Sequence, residues 1–193
     1  MSNIWGPMGW MTLHSIAASY PEEPTASDKA ILNEYMSAFA FTIPCHLCNS
    51  HFNKLFPEYK TNVPTWANSK QDLFVAICRM HNVVNARLDK PKAFTVAQSI
   101  EWLKNATSYT SQTDFKKKYL EYLTGQFKTR LPYNTTIAKM RKITEEYWNP
   151  REISYSLLKI VEDDILTYKN QPVSIIRSFK SSSRNIYFRR PQQ

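Results

Sequence analysis

Prolines 21, 24, 44, 91 and 150 cut the chain into stretches whose apolar residues recur at three- and four-residue steps, and this punctuation constrains the fold more than any other feature. A proline inside a helix removes one amide donor and crowds the carbonyl four residues back, so each stretch is expected to be a separate helix. Only three of the 193 residues are glycine, 42% are apolar and 21% charged. That balance suits a helix-rich globular protein better than a disordered chain or a many-turned β fold.

In the first stretch Trp10, Leu13, His14 and Ala17 share one helical face, with the helix opening near Pro7 and ending before Pro21 and Pro24. Ser27 and Asp28 are expected to cap a second helix carrying Ile31, Leu32, Tyr35, Phe39 and Ile43. Pro44 and Cys45 open a third, which continues through Phe52 and Leu55 and gives way to a loop over Pro57 to Asn68. A fourth runs from Asp72 to Leu88, and a short fifth, capped by Thr95, from Val96 to Lys104. The expected class is mainly all-α, a compact bundle.

The polar stretch Thr107 to Thr113 reads as a linker, dividing a domain of residues 1–108 from a mostly helical one of residues 109–193. In the latter, Lys139 to Trp148 and Ile153 to Tyr168 are expected to be helices, and the segment after Pro172 a strand or a disordered arm. The first 108 residues hold nine Lys and Arg against eight Asp and Glu, whereas the rest hold sixteen against eight. Residues 169–193 carry six cations and no carboxylate, with Phe179, Tyr187 and Phe188 among them. Such a segment suits a solvated basic face first, and otherwise an acidic partner or nucleic acid. No stretch approaches the roughly 20 apolar residues of a membrane span, and residues 1–13 lack a signal-like pattern, so a soluble protein is expected.

Three cysteines are too few for a disulfide scaffold. Cys45 and Cys48, spaced as C-x-x-C at a helix start, suit disulfide exchange, because the positive end of the helix stabilises the attacking thiolate. The same spacing serves zinc sites: Cys45, Cys48 and His51 would be three ligands and His46 or His81 the fourth. Inert buried thiols are a third possibility, and the pair alone leaves all three open.

The pair stands in an ordered set: Trp5-Gly6-Pro7, Trp10, Leu13-His14, Tyr20-Pro21, Cys45-x-x-Cys48-x-x-His51-Phe52, and His81-Asn82-x-Val84-Asn85-x-x-Leu88-x-Lys90-Pro91. This set resembles the Erv/ALR family of FAD-linked sulfhydryl oxidases over about residues 4–103. The resemblance implies a four-helix bundle with a short fifth helix that cradles FAD. Gly6, Trp10, His14, His51, the Cys78 backbone, His81, Asn82, Val84, Asn85, Leu88, Lys90, Glu101 and Trp102 would be its contacts. It further implies that Cys45 exchanges with substrate, that Cys48 hands electrons to FAD, and that oxygen takes them to give hydrogen peroxide. Implied partners are protein dithiols or a thioredoxin-like carrier, and a second copy paired through the first two helices.

Several positions depart from the family pattern. Cys78 is the only further cysteine, so no internal shuttle pair exists and substrate must meet Cys45 directly. The usual partner of Cys78, seventeen residues on, is Thr95, which leaves Cys78 a free buried thiol. Ser19 replaces an aromatic and Asp89 a common glycine. A minimal core with an unfamiliar C-terminal half is more like the oxidases of large DNA viruses, implying host cytoplasm or virion. That half is expected to be a docking module. The competing readings are a zinc-stabilised basic interaction module and an FAD-binding scaffold.

Overall fold

The computed structural model describes residues 2–90 and 95–159. They form α1 (Ser2–Ser19), α2 (Ala26–Phe41), α3 (His46–Asn62), α4 (Lys70–Arg87), α5 (Val96–Tyr109), α6 (Gln112–Gln126) and α7 (Leu131–Ile143). A widened π turn, Thr144–Trp148, extends α7. Among the described residues there is no strand, in keeping with the all-α expectation. No helix there is long and apolar enough to cross a membrane.

α1 explains the arrangement. From Met11 to Tyr20 every residue is buried, so the second half of this helix has no solvent face and must be covered all round. α4 covers it on one side and α6 on the other, while α2 is covered by α7. Gly9 lets the helices approach closely, since a Cβ there would sit 3.3 Å from the rings of both Phe39 on α2 and Tyr119 on α6. Those two rings stack at 5.3 Å.

The C-terminal half enters the same core. Tyr119, Leu123 and Trp148 are fully buried, and Trp148 packs against Tyr20 and Tyr35 with ring centroids 6.4 and 6.0 Å apart. Next to it, Tyr147 donates to Asp28, and the Arg151 guanidinium lies 3.5 Å from the same carboxylate and 3.6 Å over the Tyr147 ring. Burial alone would raise the Asp28 pKa. The hydrogen bonds from Thr25 and Tyr147 and the Arg151 charge outweigh it and hold Asp28 below its ordinary 3.8.

Several boundaries differ from the sequence-based expectation. α1 begins at Ser2 and takes Pro7 into its interior. The cap of α2 is Thr25, which exchanges bonds with Asp28 in a capping box, instead of Ser27. α3 passes through Pro57 to Asn62, replacing the first part of the expected loop, because Phe56 and Tyr59 on either side are buried and hold the helix on course. α6 was not expected at all, and only Thr110 and Ser111 separate it from α5. Ile153 to Lys159 is irregular rather than helical. The rest of that expected helix, the strand or arm after Pro172 and the basic segment 169–193 lie outside the described residues.

α4 ends in a Schellman turn: the Asp89 amide donates to the Ala86 carbonyl and the Lys90 amide to that of Asn85, 3.1 and 3.0 Å away. The turn requires a left-handed residue, and Asp89 takes it with φ 52°. This is the physical reason for a glycine there, and aspartate meets the demand at a cost. Asp89→Gly is expected to raise stability by about 0.5–1 kcal/mol, read as a higher urea midpoint with an unchanged slope. Trp148→Ala is expected to cost about 3–5 kcal/mol in the same titration, as the loss of a large buried ring would.

Candidate active site

Cys45 is the N-cap of α3, its sulfur accepting from the Cys48 amide at 3.3 Å. The two sulfurs are bonded to each other and their Cα atoms are 5.2 Å apart. A helix N-terminus presents unpaired amides and a partial positive charge, so a thiolate formed here is favoured over one in solvent.

The turn holding the pair is tied to the end of α2. The Asn49 amide nitrogen donates to the carbonyls of Ala40 and Phe41 at 2.7 and 3.0 Å, and Asn53 donates to Ala40 at 3.2 Å. Thr42 takes the carbonyls of Ala38 and Phe39. The last four carbonyls of α2, which have no partner within the helix, are thus satisfied, two of them by the residues that follow the cysteines.

Between α1, α4 and this turn lies a cavity of about 320 Å³. Its walls are aromatic, from Trp5, Trp10, Phe39, Phe52 and Trp102, with Ile43, Val84 and Leu88 completing them. Gly6 also lines it, and a Cβ at that position would meet no atom within 4 Å, so the space is open there. Polar groups are few: His81 and Asn85, with Arg87 and Lys90 at the C-terminal end of α4. Cys48 belongs to the wall and Cys45 does not. The two sulfurs therefore have different surroundings, one on the cavity and one away from it.

His81 stacks on Trp10 with centroids 4.2 Å apart and planes 12° apart. Its Nδ1 lies 3.2 Å from Nε2 of His14, a hydrogen bond that needs at least one neutral ring. Burial lowers the His14 pKa to about 3. Burial, with the charges of His14 and Lys90 adding to it, lowers that of His81 to about 2. Both rings are neutral at pH 7, so the cavity has an uncharged polar floor and cations only at one end.

Of the residues singled out from the sequence, Gly6, Trp10, His81, Val84, Asn85, Leu88, Lys90 and Trp102 come together on the cavity wall. His14 sits behind His81, and Asn82 is buried on α4 without lining the cavity. Cys78 is wholly buried off the wall, its thiol pushed up to about 12 by desolvation. Glu101 is exposed, as is His51, whose Nδ1 meets the Leu47 carbonyl. Cys45, Cys48 and His51 are not gathered as ligands, and among the described residues no group of three or more His, Cys, Asp or Glu could hold a metal ion. Phe39, Ile43 and Arg87 join the site without having been singled out for it. Arg87 had a legible signal, lying three residues before Lys90 on the same helix end, whereas Phe39 and Ile43 reach the site only through the packing of α2.

The model of the Erv1/Alr family matches residues 7–107. Over 87 residues the chain is 38% identical to the mitochondrial FAD-linked sulfhydryl oxidase ERV1 of Saccharomyces cerevisiae, covering 45% of this chain and 44% of that one. Over 86 residues it is 38% identical to the FAD-linked sulfhydryl oxidase ERV1 of Oryza sativa, with 45% and 42% covered. A viral relative, the probable FAD-linked sulfhydryl oxidase R368 of Acanthamoeba polyphaga mimivirus, is 29% identical over 97 residues, with 50% and 66% covered. The chain thus spans less than half the length of its cellular relatives named here. No solved structure matches it. The family match takes in the cysteine pair, nearly all of the cavity wall and more than half of the 193 residues, and the chain belongs to the Erv1/Alr family.

Proposed function

We propose that this chain is an FAD-linked sulfhydryl oxidase that makes disulfide bonds in protein dithiols through Cys45 and Cys48. The observation that carries the reading is the placement of the bonded pair at a helix N-terminus with Cys48 alone on an aromatic cavity. Relatives matching this region are named FAD-linked sulfhydryl oxidases, which agrees with it.

The cavity fits a flavin cofactor. Trp10, Phe52 and Trp102 supply flat apolar walls for a planar ring, the open space at Gly6 leaves room for it, and Arg87 and Lys90 supply cations for a diphosphate. His81 and Asn85 are the groups that would hydrogen-bond it. FAD held there would supply an acceptor for the two electrons and two protons released as Cys45 and Cys48 rejoin, with oxygen as the final acceptor giving hydrogen peroxide.

The chain's own part is thiol exchange. A substrate thiolate attacks the Cys45 sulfur, a bond forms between them, and Cys48 leaves as a thiolate held near the start of α3. The second substrate thiolate then attacks the substrate sulfur of that mixed disulfide, releasing Cys45 as a thiolate and the substrate as a disulfide. Two electrons now rest on the Cys45–Cys48 dithiol, and two protons have left the substrate. The anchored turn places Cys48 on the cavity wall, so its sulfur stands in position beside a ligand bound there.

The reading extends to partners and place. The substrates are protein dithiols or a thioredoxin-like carrier that reach Cys45 directly. Residues 1–108 would supply the oxidase chemistry, and the residues after them would cover α1 and α2 and meet a partner. Pairing of two copies through α1 and α2 would be confined to the faces that α6 and α7 leave open. Host cytoplasm or virion would be its place if the source is a large DNA virus, in line with the mimivirus relative.

Purified with ample FAD, the protein is expected to show flavin absorbance and to consume oxygen with dithiothreitol. Cys48→Ser should lower that turnover by at least about a hundredfold, since it removes the sulfur on the cavity. Turnover unchanged by Cys48→Ser with flavin still bound would instead favour the scaffold reading. The histidine pair gives a pH test. Unfolded histidines take up protons below about 6.5 while His14 and His81 do not until about 3 and 2, so the unfolded state binds more protons in between and stability falls as pH falls. The loss should approach about 1.4 kcal/mol per pH unit for each histidine below pH 6.5, and urea midpoints at pH 7 and pH 5 in His14→Gln and the unaltered chain would measure it.

A further inference from the structure

Beside the cysteine turn stands a corner contributed by the C-terminal half, and the oxidase reading gives it no role. Phe41, at the end of α2, stacks on Tyr133 at the start of α7 with centroids 4.7 Å apart, and Tyr133 stacks on Phe127 at 4.1 Å and 2°. The carbonyl of the same Phe41 receives the Asn49 amide, one residue past Cys48. The α6–α7 connection is therefore fastened to the redox turn through a single residue. The connection itself is ordered, the Arg130 amide bonding Phe127 and the Asn134 side chain bonding the Lys128 carbonyl.

Two properties of this corner call for a ligand. It exposes three of the seven large apolar side chains that stand out to solvent among the described residues: Leu131 is 79% exposed, Leu47, between the two cysteines, 65%, and Phe41 41%. It is also one-signed. Residues 126–142 hold five Lys and Arg and no Asp or Glu, and residues 38–57, around the cysteines, hold no carboxylate either. Lys139 is paired with Glu34 and Arg141 reaches Thr124, whereas Lys128 and Arg130 are exposed and in no ion pair with a described residue.

We propose that Lys128 and Arg130, with Leu131, Phe41 and Leu47, form the docking rim for the substrate, and that the segment docked there is an acidic, cysteine-bearing stretch of a protein dithiol. This rests on the oxidase reading, because it is Cys45 that the docked segment would meet. With Cys78, the only further cysteine, buried and so unable to relay electrons, the surface next to Cys45 is where selection among dithiols can occur. Rim charges of one sign act chiefly by steering an oppositely charged partner and rejecting one of like charge.

The test uses the full chain loaded with FAD and two labelled peptides that differ only in having Asp and Glu or Lys around a Cys-x-x-Cys core, with serine in place of both cysteines so that binding is read without turnover. Fluorescence anisotropy at low salt is expected to show the acidic peptide bound at least about tenfold more tightly than the basic one. K128E/R130E should weaken the acidic peptide by about tenfold and tighten the basic one, and added salt should shrink both differences. With the cysteines restored, the same double substitution should raise KM for the acidic peptide and leave dithiothreitol oxidation unchanged. Equal affinity for the two peptides, or a double substitution that moves neither, would overturn the proposal. Dithiothreitol oxidation by the unaltered chain is scored separately: its absence would count against the oxidase reading, whatever the peptides do.

Discussion

The arrangement of this molecule follows from a first helix whose second half has no solvent side. α1 is buried from Met11 to Tyr20, and a helix of this kind is stable only when neighbours close on it from opposite directions. α4 closes one side and in doing so makes the cavity, while α6 closes the other and draws the C-terminal half into the core. Gly9 sets how near α6 and α2 come to α1. A single constraint therefore produces both the site and the attachment of the part of the chain that the family match does not reach.

Desolvation then shapes the site. Packing two imidazoles behind Trp10 removes the water that would stabilise their charged forms, and the result is a polar but neutral cavity floor. The cations stand apart at the end of α4, where the Schellman turn brings Lys90 round after Arg87. The separation of an uncharged aromatic wall from a basic rim is the sort of order that a ligand with a flat apolar part and an anionic part would need. It comes from one helix and its termination.

Much of this was legible in the sequence. The prolines located α2 and α4 to within a few residues, and the cap at Thr95 and the helix opening at Cys45 follow from local chemistry that tertiary packing does not overrule, whereas α5 runs past its expected end at Lys104 to Tyr109 and so takes in part of the expected linker. Pro57 shows where such reading fails: proline signals the end of a helix, but the burial of Phe56 and Tyr59 outweighs that signal. α6 was missed because its lysine- and tyrosine-rich sequence shows a weak apolar stripe, and its role is visible only once Tyr119 and Leu123 meet α1. Within the site, residues on the motif-bearing helices are implied by the family resemblance that those motifs carry, with helical spacing placing His81, Asn85 and Leu88 on one face. Phe39 and Ile43 are not, since nothing in their own neighbourhood reports that α2 lies across the cavity.

The clasp from Asn49 and Asn53 to the end of α2 has a consequence for the proposed reaction cycle. A disulfide that alone held its loop would free that loop each time it was reduced, and every turnover would then have to re-collect the two sulfurs from a wider set of conformations. Here the turn that carries Cys45 and Cys48 is anchored by side-chain amide hydrogen bonds from Asn49 and Asn53 that do not run through the disulfide. Under the proposed function, opening and closing the bond would leave those ties in place to hold the turn, and each cycle would need little conformational work.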